Sequence, residues 1–227
     1  MNTSVYPTIQ AEESAKSRFI KKTYFHLAAA IATFALLETF FFSTGIAQSI
    51  LDVMSHMNPA IILIALVLIN LFASKKAHTS RAKAGQYIGL GAYILAEAII
   101  FVPLIAMSLM RGGTDLLATA ALATGIGVVG ITLLALSYDT DWSVLDMGLR
   151  VAGLSAFALI VCSCLFGFTL GTLFTVVMLA FSAVAILRQT GATLHQYGEE
   201  QYIAASLGLF ASIMLLFWYV LRFMNRR

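Results

Sequence analysis

The chain has 227 residues, of which 60% are apolar and only 11% charged, and its mean hydropathy is +0.89. A water-soluble domain of this length needs far more charge to cover its surface, so composition excludes that class and points to a polytopic membrane protein. The net charge of +3 excludes little by itself; where the charges fall is more informative.

The opening stretch "MNTSVYPTIQAEESAKSRFIKK", residues 1–22, is polar and ends in Lys16, Arg18, Lys21 and Lys22. It lacks the early positive charge and short apolar core of a signal peptide, so it is expected to be retained. Apolar runs follow at 24–47, 58–74, 84–110, 114–137, 151–166, 169–187 and 201–222. A helix of about 20 residues crosses a hydrocarbon core, and lipid offers no partner for unpaired backbone groups, so each run is expected to be a membrane helix. None shows the short alternation of barrel strands. The expected architecture is an all-α membrane protein: a polar cytoplasmic tail, 1–22, and a seven-transmembrane-helix domain, 23–227.

Lys and Arg set the expected orientation. With the N-terminus inside, the inner segments hold the four tail cations, Lys75, Lys76, Arg81, Lys83, Arg150 and Arg188; Arg111, Arg222, Arg226 and Arg227 lie outside. The excess favours a cytoplasmic N-terminus. The tail "RFMNRR" then sits outside against the rule, and a re-entrant run between Arg150 and Arg188 would return it; seven spans is the preferred reading.

Within the first run, Glu38 stands near mid-membrane, with Phe34 and Phe42 on its face. The third run places Gly85, Gly89, Ala92 and Ala96 at helical spacing, a small-residue stripe for close approach to a neighbouring helix. Glu97 follows, with uncharged residues from Ala84 to Ala96 before it and from Ala98 to Met110 after it. A carboxylate there costs at least about 2.5–3.5 kcal/mol and is expected to face the bundle interior or water. Two readings stand for Glu97 and Glu38: a proton or cation site, or a neutral carboxyl hydrogen-bonded between helices as structural glue. Pro103 removes a backbone donor and is expected to kink this span.

The fourth run contains "GIGVVG", a dinucleotide fingerprint as a pattern only; with no preceding strand, close helix packing is the expected role. The loop "SYDTDWSVLDMGLR" carries Asp139, Asp141 and Asp146, of which the first two resemble the start of a calcium loop but lack its glycine and terminal glutamate. A solvated loop with Asp141 capping the next helix is expected. Cys162 and Cys164 point to different sides of one helix and are expected to be free thiols. His195, Glu199 and Glu200 are expected to be solvated, His195 being a pH-sensitive group near the mouth of any pathway. No arrangement for nucleophilic or metal-assisted catalysis appears, and neither enzyme activity, a cofactor, a resident metal nor a nucleic-acid partner is expected.

"FIKKTYFHLAAAIATFALLE", "YDTDWSVL" after the fourth run and "AILRQTGATLHQYGEEQYIAASLGLFASIMLLFWYVLRF" at the end together resemble the Bax inhibitor-1 family, and the last block is most similar to its bacterial YccA-type branch. The resemblance implies an inner-membrane bundle whose last helix is central. In members with a complete site it also implies two aspartates, at the inner end of span six and within span seven, that close a calcium leak and release it according to pH. Those positions fall on Gln189 in "ILRQT" and on Ser212, counting back from "VLRF". Span two has Asn70 but no acid, with Lys75 and Lys76 near the expected basic position. Neither Gln189 nor Ser212 changes charge between pH 5 and 8. Arg188 beside the gate is expected to snorkel to the headgroups, or to repel cations if it faces inward.

The YccA-type branch implies a partner that modulates an FtsH-type quality-control protease, engaged through the tail and the bundle. Two functions follow as expectations. One is regulation of membrane-protein quality control through a membrane-bound protease. The other is a pH-influenced leak of calcium or protons using Glu97, and Glu38 with it, in place of the aspartates.

Overall fold

A 55-residue run, Lys83–Ser137, reads as one helix, which would be about 80 Å long if straight, far more than a bilayer needs. It is not straight. The computed structural model, which describes residues 5–80, 82–137 and 142–226 and side chains from Glu13 onward, places Gly113 at φ 62°, ψ −156° within it. Only glycine adopts that conformation readily, and there the chain doubles back. Phe101 stacks on Phe217 with ring centroids 5.5 Å apart, and a β-carbon on Gly127 would meet Leu216 at 3.7 Å. Residues 101 and 127 therefore stand at one level, and the run is an antiparallel hairpin with arms 83–112 and 114–137.

The elements in order are α1 (Val5–Thr44), α2 (Ile46–Ser55), α3 (Pro59–Thr79), α4 (Lys83–Ser137, the hairpin), α5 (Leu145–Phe166), α6 (Thr172–His195) and α7 (Tyr202–Met224), with single 3-10 turns at 142–144 and 199–201. Six helices are long and apolar enough to cross a membrane, and α4 supplies two arms. The seven expected runs are all present as helices; no strand occurs among the described residues.

Local chemistry explains the boundaries. Asn58 caps α3, its Oδ1 accepting from the Ala60 amide at 2.9 Å, and Pro59 occupies the first turn, where its missing N–H costs nothing. Gly45 at φ 82° and Gly167 at φ 72° supply left-handed turns, before α2 and after α5. α2 itself falls where a loop was expected. The backbone stays helical through Pro103, and the break comes later, at Gly113.

α1 is 40 residues long, about 60 Å, so its first turns extend beyond any bilayer. It runs unbroken through residues 22 and 23. Ala15, Phe19 and Thr23, one turn apart, are buried, while Lys16, Arg18, Lys21 and Lys22 are exposed. The extension is thus an amphipathic helix seated on the bundle: Lys22 lies 5.2 Å from the Tyr202 ring, and His26 packs on Tyr202 with ring centroids 5.0 Å apart.

The core is shared by the first arm of α4 and by α7, which packs against α1, α3, α4 and α6. α5 buries only Ala156, and its outward leucines and valines stand where lipid would solvate them. The small-residue stripe has its expected effect. A β-carbon on Gly89 would meet the Ala73 carbonyl oxygen at 2.6 Å and the Ala77 nitrogen at 2.7 Å, so α3 and α4 touch backbone to backbone there.

The two ends of the bundle are different in kind. At the end holding Tyr202, Lys83 bonds Glu200 at 2.6 Å, so Glu200 is ion-paired rather than simply solvated. At the other end, Asn225 Nδ2 donates to Ser108 Oγ at 2.6 Å, Arg111 donates to the Asn225 carbonyl, and Arg226 reaches Thr172 at 3.1 Å and the Leu170 carbonyl. The start of α1 and the finish of α7 lie at opposite ends, as an odd number of crossings requires. α5 and α6 are both full-length helices, and neither is re-entrant.

Gly89→Leu is expected to destabilise the protein by about 1–3 kcal/mol by prising α3 from α4. Gly91→Leu on the open side of the same helix, where a β-carbon meets nothing within 4 Å, should leave stability nearly unchanged. Thermal unfolding in detergent micelles distinguishes the two.

Candidate functional site

The expected site residues do not converge on one locus; they fall into three groups. Glu97 lies on the first arm of α4, half-buried, and its Oε1 accepts from Asn70 Nδ2 on α3 at 3.0 Å. The Tyr93 hydroxyl lies near that carboxyl, one turn back on the same helix. Both are neutral donors, which solvate a carboxyl without cancelling its charge. The glue reading of Glu97 therefore has a geometric basis, with Asn70 as the cross-helix partner.

Gln189 and Ser212 form the second group. α6 continues to His195, so "ILRQT" lies inside the helix rather than at its border. The Gln189 carboxamide packs against Gly208 on α7, where a β-carbon would collide with it. Its Nε2 donates to the Tyr197 hydroxyl at 3.0 Å, and that hydroxyl lies 3.4 Å from His78 Nε2 on α3. With His78 Nδ1 against the Ser74 carbonyl at 2.8 Å, the tautomer that fits protonates Nδ1 and leaves Nε2 to accept from Tyr197. Ser212, one turn beyond Gly208, donates to the Gly208 carbonyl at 3.0 Å. α3 and α6 are thereby linked through Tyr197, and Gln189 also packs α6 onto α7 at Gly208; Gln189 and Tyr197 are neutral groups.

Arg188 neither snorkels nor faces a pore. It grips Asp146 in the first turn of α5 with two donors, Nε and Nη2, the latter at 2.7 Å, and donates to Gln196 Oε1 at 2.9 Å. A bidentate carboxylate is a far better partner than a headgroup at that depth. Asp146 is correspondingly not a free loop carboxylate. Asp139 and Asp141 lie outside the described residues.

Glu38 stands apart. It is only 6% exposed, and neither carboxyl oxygen has a hydrogen-bond partner among the described residues. It borders a cavity of about 880 Å³ between α1, both arms of α4 and α7. The contacts that lead from it toward Glu97 are ring contacts: Phe34 at 6.4 Å from Phe210, and Phe210 at 6.2 Å from Tyr93. Gly125 of "GIGVVG" borders this cavity instead of packing closely, whereas Gly127 approaches α7. Cys162 and Cys164 are free thiols, and no group of three metal-ligating side chains occurs among the described residues.

Tyr93, Tyr197, His78 and Gly208 were not singled out from sequence. Tyr93 had a signal, its helical spacing from Glu97. The others meet their partners only through the fold.

The family model described as "Inhibitor of apoptosis-promoting Bax1" matches residues 16–227, which takes in all three groups. Among curated proteins, none matches the chain.

Gly208→Ala should displace the Gln189 amide and break its bond to Tyr197, costing about 1 kcal/mol. Gln189→Ala in the same chain should recover part of the loss, and a double-mutant cycle on thermal stability measures the coupling.

Proposed function

This chain belongs to the Bax inhibitor-1 family, and we propose that within it the protein is a regulator of membrane-protein quality control that modulates an FtsH-type protease by contact. The observation that carries this reading is the neutral contact between α6 and α7. Where family resemblance assigns a titratable aspartate pair, Gln189 and Ser212 stand, and Gln189 is committed to Tyr197. A pH-released leak at that position has no carboxylate to titrate. In this reading the protein is of the YccA type, α7 is the central helix, and the N-terminus faces the cytoplasm of the inner membrane, as the Lys and Arg distribution favours. The exposed cations of the α1 extension, Lys16, Arg18 and Lys21, are the contact surface.

A calcium or proton leak through Glu97, with Glu38 as a second group, is the alternative. The feature that favours it is a carboxyl at mid-span whose hydrogen-bond partner is the neutral Asn70.

Reconstitution separates the two. In proteoliposomes at pH 6 and pH 8, calcium and proton flux should not exceed that of protein-free vesicles. An FtsH-type protease should co-purify from membranes with the wild-type chain, and the Lys16→Glu, Arg18→Glu, Lys21→Glu variant should lose at least about tenfold of that retention, since opposed charges across an interface cost several kcal/mol. Flux that disappears in Glu97→Gln, with no protease retained by folded wild type, overturns the proposal in favour of the leak.

A further inference from the structure

The orientation rule leaves one set of cations unexplained, those of "RFMNRR" at the finish of α7. Arg226 has a structural task there, donating to Thr172 Oγ1 and to the Leu170 carbonyl in the turn before α6. Arg222 has none. It is half-buried, and it makes no hydrogen bond or ion pair among the described residues. A guanidinium carries five donors and keeps its charge, so Arg222 is a cation in want of acceptors.

The surroundings of Arg222 follow from its helix. Tyr219, Arg222 and Arg226 fall at helical spacing on one side of α7. The Tyr219 ring meets Phe174 of α6 with centroids 6.3 Å apart, while Arg226 holds the turn before α6. Arg222 stands between them, on the side where α5 gives way to α6, with Cys164 of α5 near it. The surface of that turn is apolar: Leu165, Phe166, Phe168 and Leu173 are all exposed, Phe166 and Leu173 each 78%. Among the described residues no carboxylate pairs with Arg111, Arg222 or Arg226; the two described ion pairs, Lys83 with Glu200 and Arg188 with Asp146, lie at the opposite end.

We propose that Arg222 and Arg226 bind the phosphate of an anionic phospholipid whose acyl chains lie along the exposed side chains of the α5–α6 turn. One crossing ends at Phe166 and the next begins at Thr172, so the turn sits at the membrane boundary, where headgroup phosphates lie. A guanidinium matches phosphate oxygens with paired donors, and its stem can follow the apolar surface while the charge reaches the headgroup. A soluble anion would use the arginines and leave the apolar collar uncovered. A zwitterionic headgroup would bring its own ammonium against cations that no carboxylate offsets. This assignment is independent of the protease and leak readings.

The test uses the full chain in phosphatidylcholine nanodiscs containing a minor share of phosphatidylglycerol with a diazirine near the head of one acyl chain. Label should map to peptides covering 161–174 and 217–226, and a phosphatidylcholine probe with the same diazirine should label them at least about fivefold less. Arg222→Gln should reduce the phosphatidylglycerol label by about fivefold or more, the order for one cation at an anionic headgroup. Lys75→Gln, which removes the same charge at the opposite end, should leave it unchanged. Thermal unfolding checks that Arg222→Gln folds; if it does not, the comparison of the two probes on wild type decides alone. Equal labelling by the two probes, or undiminished labelling of folded Arg222→Gln, would overturn the proposal. Loss of the label to added inorganic phosphate would overturn it too, by giving the arginines to a soluble anion.

Discussion

Hydrocarbon gives a backbone amide nothing to bond, and that constraint organises this protein at every scale. It makes each crossing a helix and pushes polar side chains to find partners inside the protein. The described hydroxyls largely comply by bonding the carbonyl a turn behind them, as Thr39, Ser108 and Thr124 do. Amides and carboxyls bridge helices instead: Asn70 to Glu97 between α3 and α4, and Asn225 to Ser108 between α7 and α4. Against that background Glu38 stands out among the described carboxyls, since both its oxygens are buried with no hydrogen-bond partner.

The same constraint explains what could be read from the sequence. Uninterrupted apolar runs have only one viable form in lipid, so all seven crossings were legible, and so was the stripe at Gly89, because small residues at helical spacing permit backbone contact. The extension of α1 was not legible by hydropathy, which sees only its charges. Its Ala, Glu, Lys and Arg content, all good helix formers, carried the information instead. The fate of Arg188 was invisible, because Asp146 lies 42 residues away and meets it only through packing of α5 on α6. Phe34 and Phe42 were read as sharing a face with Glu38, and all three border one cavity. Sequence shows which residues share a helix face; whether a second helix closes over that face depends on the whole bundle.

Gln189 shows how one amide can join two helices. An amide both donates and accepts, so it can satisfy itself against Tyr197 without a change of protonation. Gly208 makes the room, because any side chain there would occupy the space the carboxamide fills. The α6–α7 contact is therefore a joint built from neutral groups, flanked by the ion pair of Arg188 with Asp146, which ties α6 to α5.

The latch at the far end has a consequence for the order of assembly. Asn225 and Arg226 close α7, so they are synthesised after every element they fasten, and they tie down the hairpin at Arg111 and Ser108 and the turn before α6. Until α7 has been made through Asn225, the arm before the Gly113 bend has no anchor at Ser108 and the Arg111 guanidinium lacks its carbonyl. That end of the bundle is thus sealed only after α7 has been added to the helices it fastens.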